Sequence, residues 1–139
     1  MKKLAYYKGC LASLSAKELD ISTRALAPKV GYELIELDSV TCCGAGDIHE
    51  AEPDYYLHLN ARILSYAEAT GCDTLMTVCN VCTLNLRQAN HQLQIDEDLR
   101  KRVTHNLEQV ERCRRSRTRA SSASRSRCST AVRSWGHRS

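Results

Sequence analysis

Short apolar runs alternate with helical periodicities along the first 110 residues of the chain. The runs at 3–8, 33–37 and 74–78 predict three buried strands. Apolar residues that recur every three or four positions predict a helix after each strand in the sequence, the longest over about 53–70. The same spacing predicts a final helix near 96–110. Strands that alternate with helices predict an α/β fold, a small parallel sheet with flanking helices and right-handed crossovers.

The helix ends carry recognisable signals. Ser15 and Glu18 have the spacing of a capping box, which predicts a helix N-terminus with Ser15 as N-cap. Pro28 should end that helix early because it lacks the N–H group, and Gly31 should close the following turn. Asp96 predicts the N-cap of the last helix.

Five cysteines follow the three predicted strands directly. Cys10 comes after the first strand, the pair Cys42 and Cys43 after the second, and Cys79 and Cys82 after the third. Ligands of open parallel sheets bind beyond the carboxyl ends of the strands, which lie along one edge. The sequence therefore predicts that the five thiols gather at that edge.

The chain has eight cysteines, which would suit a disulfide framework in a small secreted domain. The N-terminal apolar run is interrupted by Lys8 and is too short for a secretory signal. No apolar stretch reaches the roughly 18 residues that a membrane span needs. We therefore expect a reducing, cytoplasmic location and metal or redox chemistry at the thiols.

Both iron–sulfur clusters and structural zinc need thiolate ligands, commonly four. Cys79 and Cys82 have the Cys-x-x-Cys spacing that lets two sulfurs reach one metal from a strand-to-helix turn. The adjacent Cys42 and Cys43 fit a single tetrahedral ion poorly, because successive side chains diverge, and they suit a centre with several irons. Gly44 permits a close backbone approach there.

The three motifs together resemble the cysteine-rich "CCG" domain. They read Tyr7-Lys8-Gly9-Cys10, Cys42-Cys43-Gly44 and Cys79-Asn80-Val81-Cys82 followed by Asn85-Leu86. This domain is found in the B-type polypeptide of heterodisulfide reductase and in related succinate dehydrogenase and glycolate oxidase iron–sulfur subunits. The resemblance covers residues 1 to about 110 and is strongest to the first of two CCG repeats.

The resemblance implies that Cys10, Cys42, Cys43, Cys79 and Cys82 bind a non-cubane [4Fe–4S] cluster. It implies a subunit of a heterodisulfide reductase-type oxidoreductase that splits or forms the disulfide of small thiols. The implied partners are flavin and ferredoxin-type iron–sulfur subunits, through which the protein would meet a membrane peripherally. Some relatives hold zinc instead, so the alternative is a zinc-binding structural or interaction subunit of a succinate dehydrogenase-like complex. Since the second repeat is missing, the chain alone is expected to be inactive.

The composition changes abruptly near residue 112. Residues 112–139 hold nine arginines and no acidic residue, and residues 1–111 carry a net charge of −5. We predict a cysteine-rich domain over 1–111 and a disordered Arg/Ser-rich tail over 112–139. A shifted reading frame is the favoured origin of the tail over a binding arm, because no interleaved aromatic residues support nucleic-acid contact.

Two further residues have plain interpretations. Cys72 follows a helix-ending glycine and is predicted to be a small buried apolar side chain rather than a ligand. His49 lies in the glycine-rich loop and is predicted to be solvated. The cysteines of the tail, Cys113 and Cys128, match no motif.

Overall fold

The structure, a computed structural model, describes residues 1–118, with side chains described for residues 1–112. Its three strands are β1 (Lys2–Tyr7), β2 (Tyr32–Glu36) and β3 (Leu75–Thr77). They form one parallel sheet in the order β2-β1-β3, with β1 in the centre. The predicted α/β fold with a small parallel sheet is thus confirmed, with strand bounds shifted by about one residue.

Helices connect and cover the strands. They are α1 (Gly9–Leu14), α2 (Lys17–Leu26), a 3₁₀ helix (Ala27–Val30), α3 (Asp47–Ala51), α4 (Pro53–Ala69), α5 (Asn80–Ile95) and α6 (Glu97–Thr118). The sequence predicted neither α1 nor α3. Both helices are too short to display an apolar periodicity, which is the signal on which such a prediction depends.

The core lies between one face of the sheet and the helices α4, α5 and α6. Ala5 and Tyr7 of β1 point into it, and Ile63 of α4 and Val103 of α6 are fully buried there. The apolar stripe predicted for 53–70 is largely confirmed. Tyr56, Ile63, Leu64 and Ala67 are buried, and Leu59 and Tyr66 are half-buried.

The opposite face of the sheet is covered differently. Helix α2 has no buried residue, and its Leu19 and Leu26 are 42% and 58% exposed. The spacing of these leucines would normally indicate a face that packs against the core. Here the helix turns its polar side to the sheet instead.

A network of polar side chains joins α2 to the sheet. The Tyr6 hydroxyl donates to Asp20 over 3.0 Å, and the Arg24 guanidinium donates to Asp20 and to Glu36. The Lys8 ammonium lies 2.9 Å from the other oxygen of Glu36. We call these five side chains the α2 network. It replaces the apolar contacts that hold the other long helices.

The predicted helix ends are confirmed in part. Helix α2 stops at Leu26, before Pro28, and Gly31 closes the next turn with φ of +85°. The Asp96 carboxylate accepts the Leu99 N–H over 2.9 Å, as an N-cap does.

The predicted capping box is wrong. Helix α2 begins at Lys17 and its N-cap is Ala16, which has no side-chain acceptor. Ser15 is instead the C-cap of α1, and its hydroxyl donates to the Leu11 carbonyl. The unpredicted helix α1 therefore uses the residue that the capping box required.

The predicted boundary at residue 111 falls inside α6, which continues to Thr118. The predicted disorder of the remaining tail, residues 119–139, lies outside the described residues. Within residues 1–118, no helix is long and apolar enough to span a membrane.

Candidate metal centre

All five motif cysteines lie at the carboxyl-end edge of the sheet, each placed by the element that follows its strand. Cys10 is in the first turn of α1, which starts as soon as β1 ends. Cys42 and Cys43 are in the loop between β2 and α3. Cys79 is the N-cap of α5 and Cys82 is in its first turn. The structure thus brings together the five residues that the sequence singled out.

The five thiols form a continuous row. The Sγ atoms of Cys10 and Cys42 are 3.8 Å apart, and those of Cys43 and Cys82 are 3.5 Å apart. Cys43 follows Cys42 directly in the chain, and Cys79 and Cys82 share the start of α5, which connects the two sulfur pairs and Cys79. We call it the thiol row. All of its members are free cysteines.

The thiol row has an exposed part and a buried part. Cys10 and Cys42 are exposed and Cys79 is half-buried, whereas Cys43 and Cys82 are 1% and 2% exposed. A group bound along the row would therefore have one accessible side and one side enclosed by protein.

Backbone conformation brings the chain close to the sulfurs. Gly9 has φ of +74°, and a Cβ at this position would lie 3.2 Å from Cys82 Sγ. Gly44 has φ of +76°, and its N–H lies 3.4 Å from Cys42 Sγ. Both conformations are ones that residues with a side chain rarely adopt, so the glycines are required here.

The loop that carries the paired cysteines is fastened to β1. The buried Tyr7 hydroxyl donates to the Thr41 carbonyl over 2.9 Å. Burial and the neighbouring thiols raise the pKa of Tyr7, so it remains a protonated donor. The residue before Cys42 is thereby held next to the strand that leads to Cys10.

Cys43 and Cys82 share a proton unequally. A hydrogen bond from Cys82 lowers the pKa of Cys43 to about 5 against the effect of burial, with further help from Asn85 and the Ala45 N–H. The pKa of Cys82 is raised, first by its hydrogen bond to Cys43 and then by burial. Cys43 is thus the thiolate of the pair at neutral pH. A thiolate is the form that binds metal.

Two buried asparagines, to which the sequence assigned no role, contact Cys43. Asn85 Nδ2 donates to Cys43 Sγ over 3.5 Å, and Asn60 Nδ2 donates to the Cys43 carbonyl over 2.7 Å. Asn85 was visible as part of the third motif, but nothing in the spacing of Asn60 pointed to the site. Its contact depends on how α4 packs against the loop.

The remaining cysteines and His49 are not part of the thiol row. Cys72 is buried in the core, as predicted. His49 is exposed, as predicted, and its ring stacks on Tyr56 with centroids 4.1 Å apart. The side chains of Cys113 and Cys128 lie outside the described residues.

The donor set fits a group with several metal atoms better than it fits one ion. A structural zinc site uses four ligands around one point, whereas five thiols gather at this edge of the sheet. Thiolate sulfur is the ligand that iron–sulfur clusters take.

The fold and the thiol row define a family. Residues 4–87 match the model of the CCG cysteine-rich domain, so the chain belongs to this family. The resemblance seen in the three motifs is therefore confirmed.

Curated relatives are components of reductases. The chain is 37% identical over 92 residues to the 8-methylmenaquinol:fumarate reductase membrane anchor subunit of Wolinella succinogenes. The aligned region covers 66% of this chain and 32% of the relative. It is 30% identical over 108 residues to a heterodisulfide reductase B-like protein of Archaeoglobus profundus, covering 77% and 36%. It is 27% identical over 101 residues to the B-type polypeptide of a ferredoxin/F420H2-dependent CoB-CoM heterodisulfide reductase of Methanosarcina acetivorans, covering 72% and 33%.

The chain spans about a third of the length of each of these relatives. The likeness supports an oxidoreductase-type subunit with a metal-binding, cysteine-rich domain.

Proposed function

We propose that this chain is an iron–sulfur subunit of a heterodisulfide reductase-type oxidoreductase. Its five cysteines, Cys10, Cys42, Cys43, Cys79 and Cys82, would hold a non-cubane [4Fe–4S] cluster. The observation that carries the proposal is the thiol row itself, since its five sulfurs outnumber the ligands of a zinc ion or an ordinary cubane.

The bound cluster would supply electrons for the cleavage of a small-thiol disulfide, or accept them when the disulfide forms. Cleavage consumes two electrons and two protons and releases two thiols. The chain's own residues bind and orient: Cys10 and Cys42 form the exposed end, where a small disulfide has access. Cys43 and Cys82 form the enclosed part, from which water is excluded.

The electrons are proposed to arrive through partner subunits with flavin and ferredoxin-type iron–sulfur centres. The names of the relatives, which are components of reductases, support this arrangement. We propose a cytoplasmic location, with peripheral membrane contact through partners, which the likeness to a membrane anchor subunit supports. Because the chain spans about a third of its relatives, turnover is not expected from it alone.

Metal content tests the proposal without requiring turnover. The full chain is purified anaerobically and reconstituted, and iron, zinc and acid-labile sulfide are measured before an electron paramagnetic resonance spectrum of the oxidised protein. We expect about four irons and about four sulfides per chain. Cys43→Ser should lose both, and Cys72→Ser should keep both, because Cys72 is a buried cysteine outside the thiol row. One zinc without sulfide would contradict the iron–sulfur proposal and favour the structural zinc subunit.

A further inference from the structure

The two buried amide side chains of the described residues are directed at one cysteine. They are Asn60 and Asn85, at 0% and 4% exposure. Asn85 donates to the sulfur of Cys43 and Asn60 donates to its carbonyl. Burying an amide costs free energy that its hydrogen bonds must offset, so two such amides at one residue indicate a function there.

Asn60 contacts the same cysteine through the N–H end of its amide. Its Nδ2 donates to the Cys43 and Tyr56 carbonyls, over 2.7 Å and 2.9 Å. Its side-chain oxygen, however, is buried and has no hydrogen-bond partner among the described residues. An unpaired buried acceptor is destabilising. The position therefore uses the amide for its N–H group.

Tyr56 holds the second amide in place. Its buried hydroxyl lies 3.0 Å from the Asn85 carbonyl and 3.4 Å from Asn85 Oδ1. Because the hydroxyl is next to Oδ1, the other end of the amide, Nδ2, faces Cys43 Sγ. With the amide turned over, an oxygen would face a sulfur that has no proton to donate once it binds a metal. The sulfur thus determines the orientation of the amide, and Tyr56 holds the amide in place.

We propose that Asn85 is a positioning residue that donates its N–H group to the Cys43 sulfur and raises the reduction potential of the cluster bound there, with Tyr56 holding its amide in place. This inference rests on the proposed function. Reduction adds negative charge to a cluster and its ligands, and a hydrogen bond to a ligand sulfur stabilises that charge. Removal of the donor should therefore shift the potential to a more negative value.

The test compares Asn85→Leu with the wild type and with Asn90→Leu. Leucine is close to asparagine in size and removes the donor without adding charge. Asn90 lies on the same helix and is half-buried, so Asn90→Leu controls for the substitution itself. Each anaerobically reconstituted full chain is analysed for iron and sulfide, and its midpoint potential is then measured by a spectroelectrochemical titration.

We expect Asn85→Leu to bind the cluster with a potential lower by about 59 mV, which is a tenfold change in the equilibrium of a one-electron couple. Asn90→Leu should keep the wild-type potential. An unchanged potential in a fully loaded Asn85→Leu protein would overturn the proposal.

Tyr56→Phe keeps the test decisive if Asn85→Leu fails to load. This variant retains the Asn85 donor but removes the two contacts that hold Asn85 in place, so a smaller shift in the same direction is expected. A loaded Tyr56→Phe protein with the wild-type potential and the wild-type electron paramagnetic resonance spectrum would contradict the role of the amide. A wild-type chain that binds no iron would instead contradict the proposed function.

Discussion

At the scale of single residues, the environment of the thiol row is set by backbone that passes very close to sulfur. Gly9 is the first residue of α1 and has no room for a side chain on the Cys82 side. The same chain segment therefore supplies Cys10 as a candidate ligand and forms the wall beside Cys82.

Replacing Gly9 with alanine should reduce cluster binding more than it reduces folding. The new Cβ would lie 3.2 Å from Cys82 Sγ, so the sulfur must move by a few tenths of an ångström. Gly31→Ala is the matched control, because Gly31 has a similar φ of +85° and nothing within 4 Å of the added Cβ. Both variants should lose about 1 kcal/mol in urea unfolding from backbone strain. Only Gly9→Ala should also lose iron, and equal iron content in the two variants would contradict this account.

Tyr7→Phe should loosen the loop of the paired cysteines. The change removes the hydroxyl that donates to the Thr41 carbonyl and leaves the ring in the core, at a cost of about 1 kcal/mol in unfolding free energy. Hydrogen exchange should accelerate at residues 41–44 and stay unchanged in α4. Tyr55→Phe is the control, because Tyr55 is 56% exposed on α4. Equal exchange of the loop in both variants would show that the hydroxyl does not hold it.

At the scale of elements, α2 is the helix whose attachment differs from the rest. Helices α4, α5 and α6 bury apolar side chains in a shared core, whereas α2 is attached to the sheet through the α2 network. Exposed ion pairs contribute little individually and are screened by salt. Helix α2 should therefore be the first of the longer helices to detach when charges are neutralised.

Acid should release α2 before the core unfolds. Hydrogen bonds from Lys8 and Arg24 lower the pKa of Glu36, and those from Arg24 and Tyr6 lower the pKa of Asp20 despite its burial. A carboxyl whose pKa is lower in the folded state than in the unfolded state stabilises the fold. This stabilisation is complete at a pH above the ordinary pKa, which is 4.5 for Glu36 and 3.8 for Asp20. It is lost as the pH falls through the lowered pKa of the folded state.

Hydrogen exchange of residues 17–26 should thus accelerate relative to α4 as the pH falls below about 4, after correction for the intrinsic rate. Arg24→Met should show the acceleration already at neutral pH. Lys29→Met removes a cation from the neighbouring 3₁₀ helix and should not. Exchange of α2 that is independent of pH would mean that the α2 network does not hold this helix.

Predictions succeeded where the signal is local in the sequence, and they failed where the outcome depends on how elements pack together. The strands and the thiol edge could be predicted because buried runs and cysteine spacing are recorded locally in the sequence, and parallel topology then fixes where Cys10, Cys43 and Cys82 meet. The contact of Asn60 with Cys43 and the outward leucines of α2 depend on how whole helices settle against the sheet. The capping box at Ser15 failed because a neighbouring helix, α1, took the same residue.

At the scale of the whole molecule, α6 completes the core from the far end of the described chain. Its Val103 is fully buried and its Leu107 is nearly so. Polar contacts with α4 flank them: the Arg102 guanidinium lies 3.1 Å from Asp54, and the Tyr66 hydroxyl lies 3.1 Å from Glu111. The domain therefore depends on residues beyond the end of the matched family segment at 87.

Val103→Ala should destabilise the whole domain by about 2 kcal/mol, from lost apolar burial and the cavity left behind. Val110→Ala is the matched control, because it makes the same change on the same helix at a side chain that is 57% exposed. Urea unfolding followed by circular dichroism measures both, and the control should stay within about 0.5 kcal/mol of the wild type. Equal effects would mean that α6 is not part of the cooperative core.

The spacing of the candidate ligands along the chain has a consequence for the unfolded state. The candidate ligands come from three segments, with 31 residues between Cys10 and Cys42 and 35 between Cys43 and Cys79. A group held by all five would close both intervals at once, as a pair of cross-links does. In the chain-entropy model, closing a loop of this length lowers the conformational entropy of the unfolded state. This stabilises the fold by roughly 4 kcal/mol for each loop. Iron supply and the oxidation state of the thiols would then decide how long the fold survives, since a chelator would release both loops together.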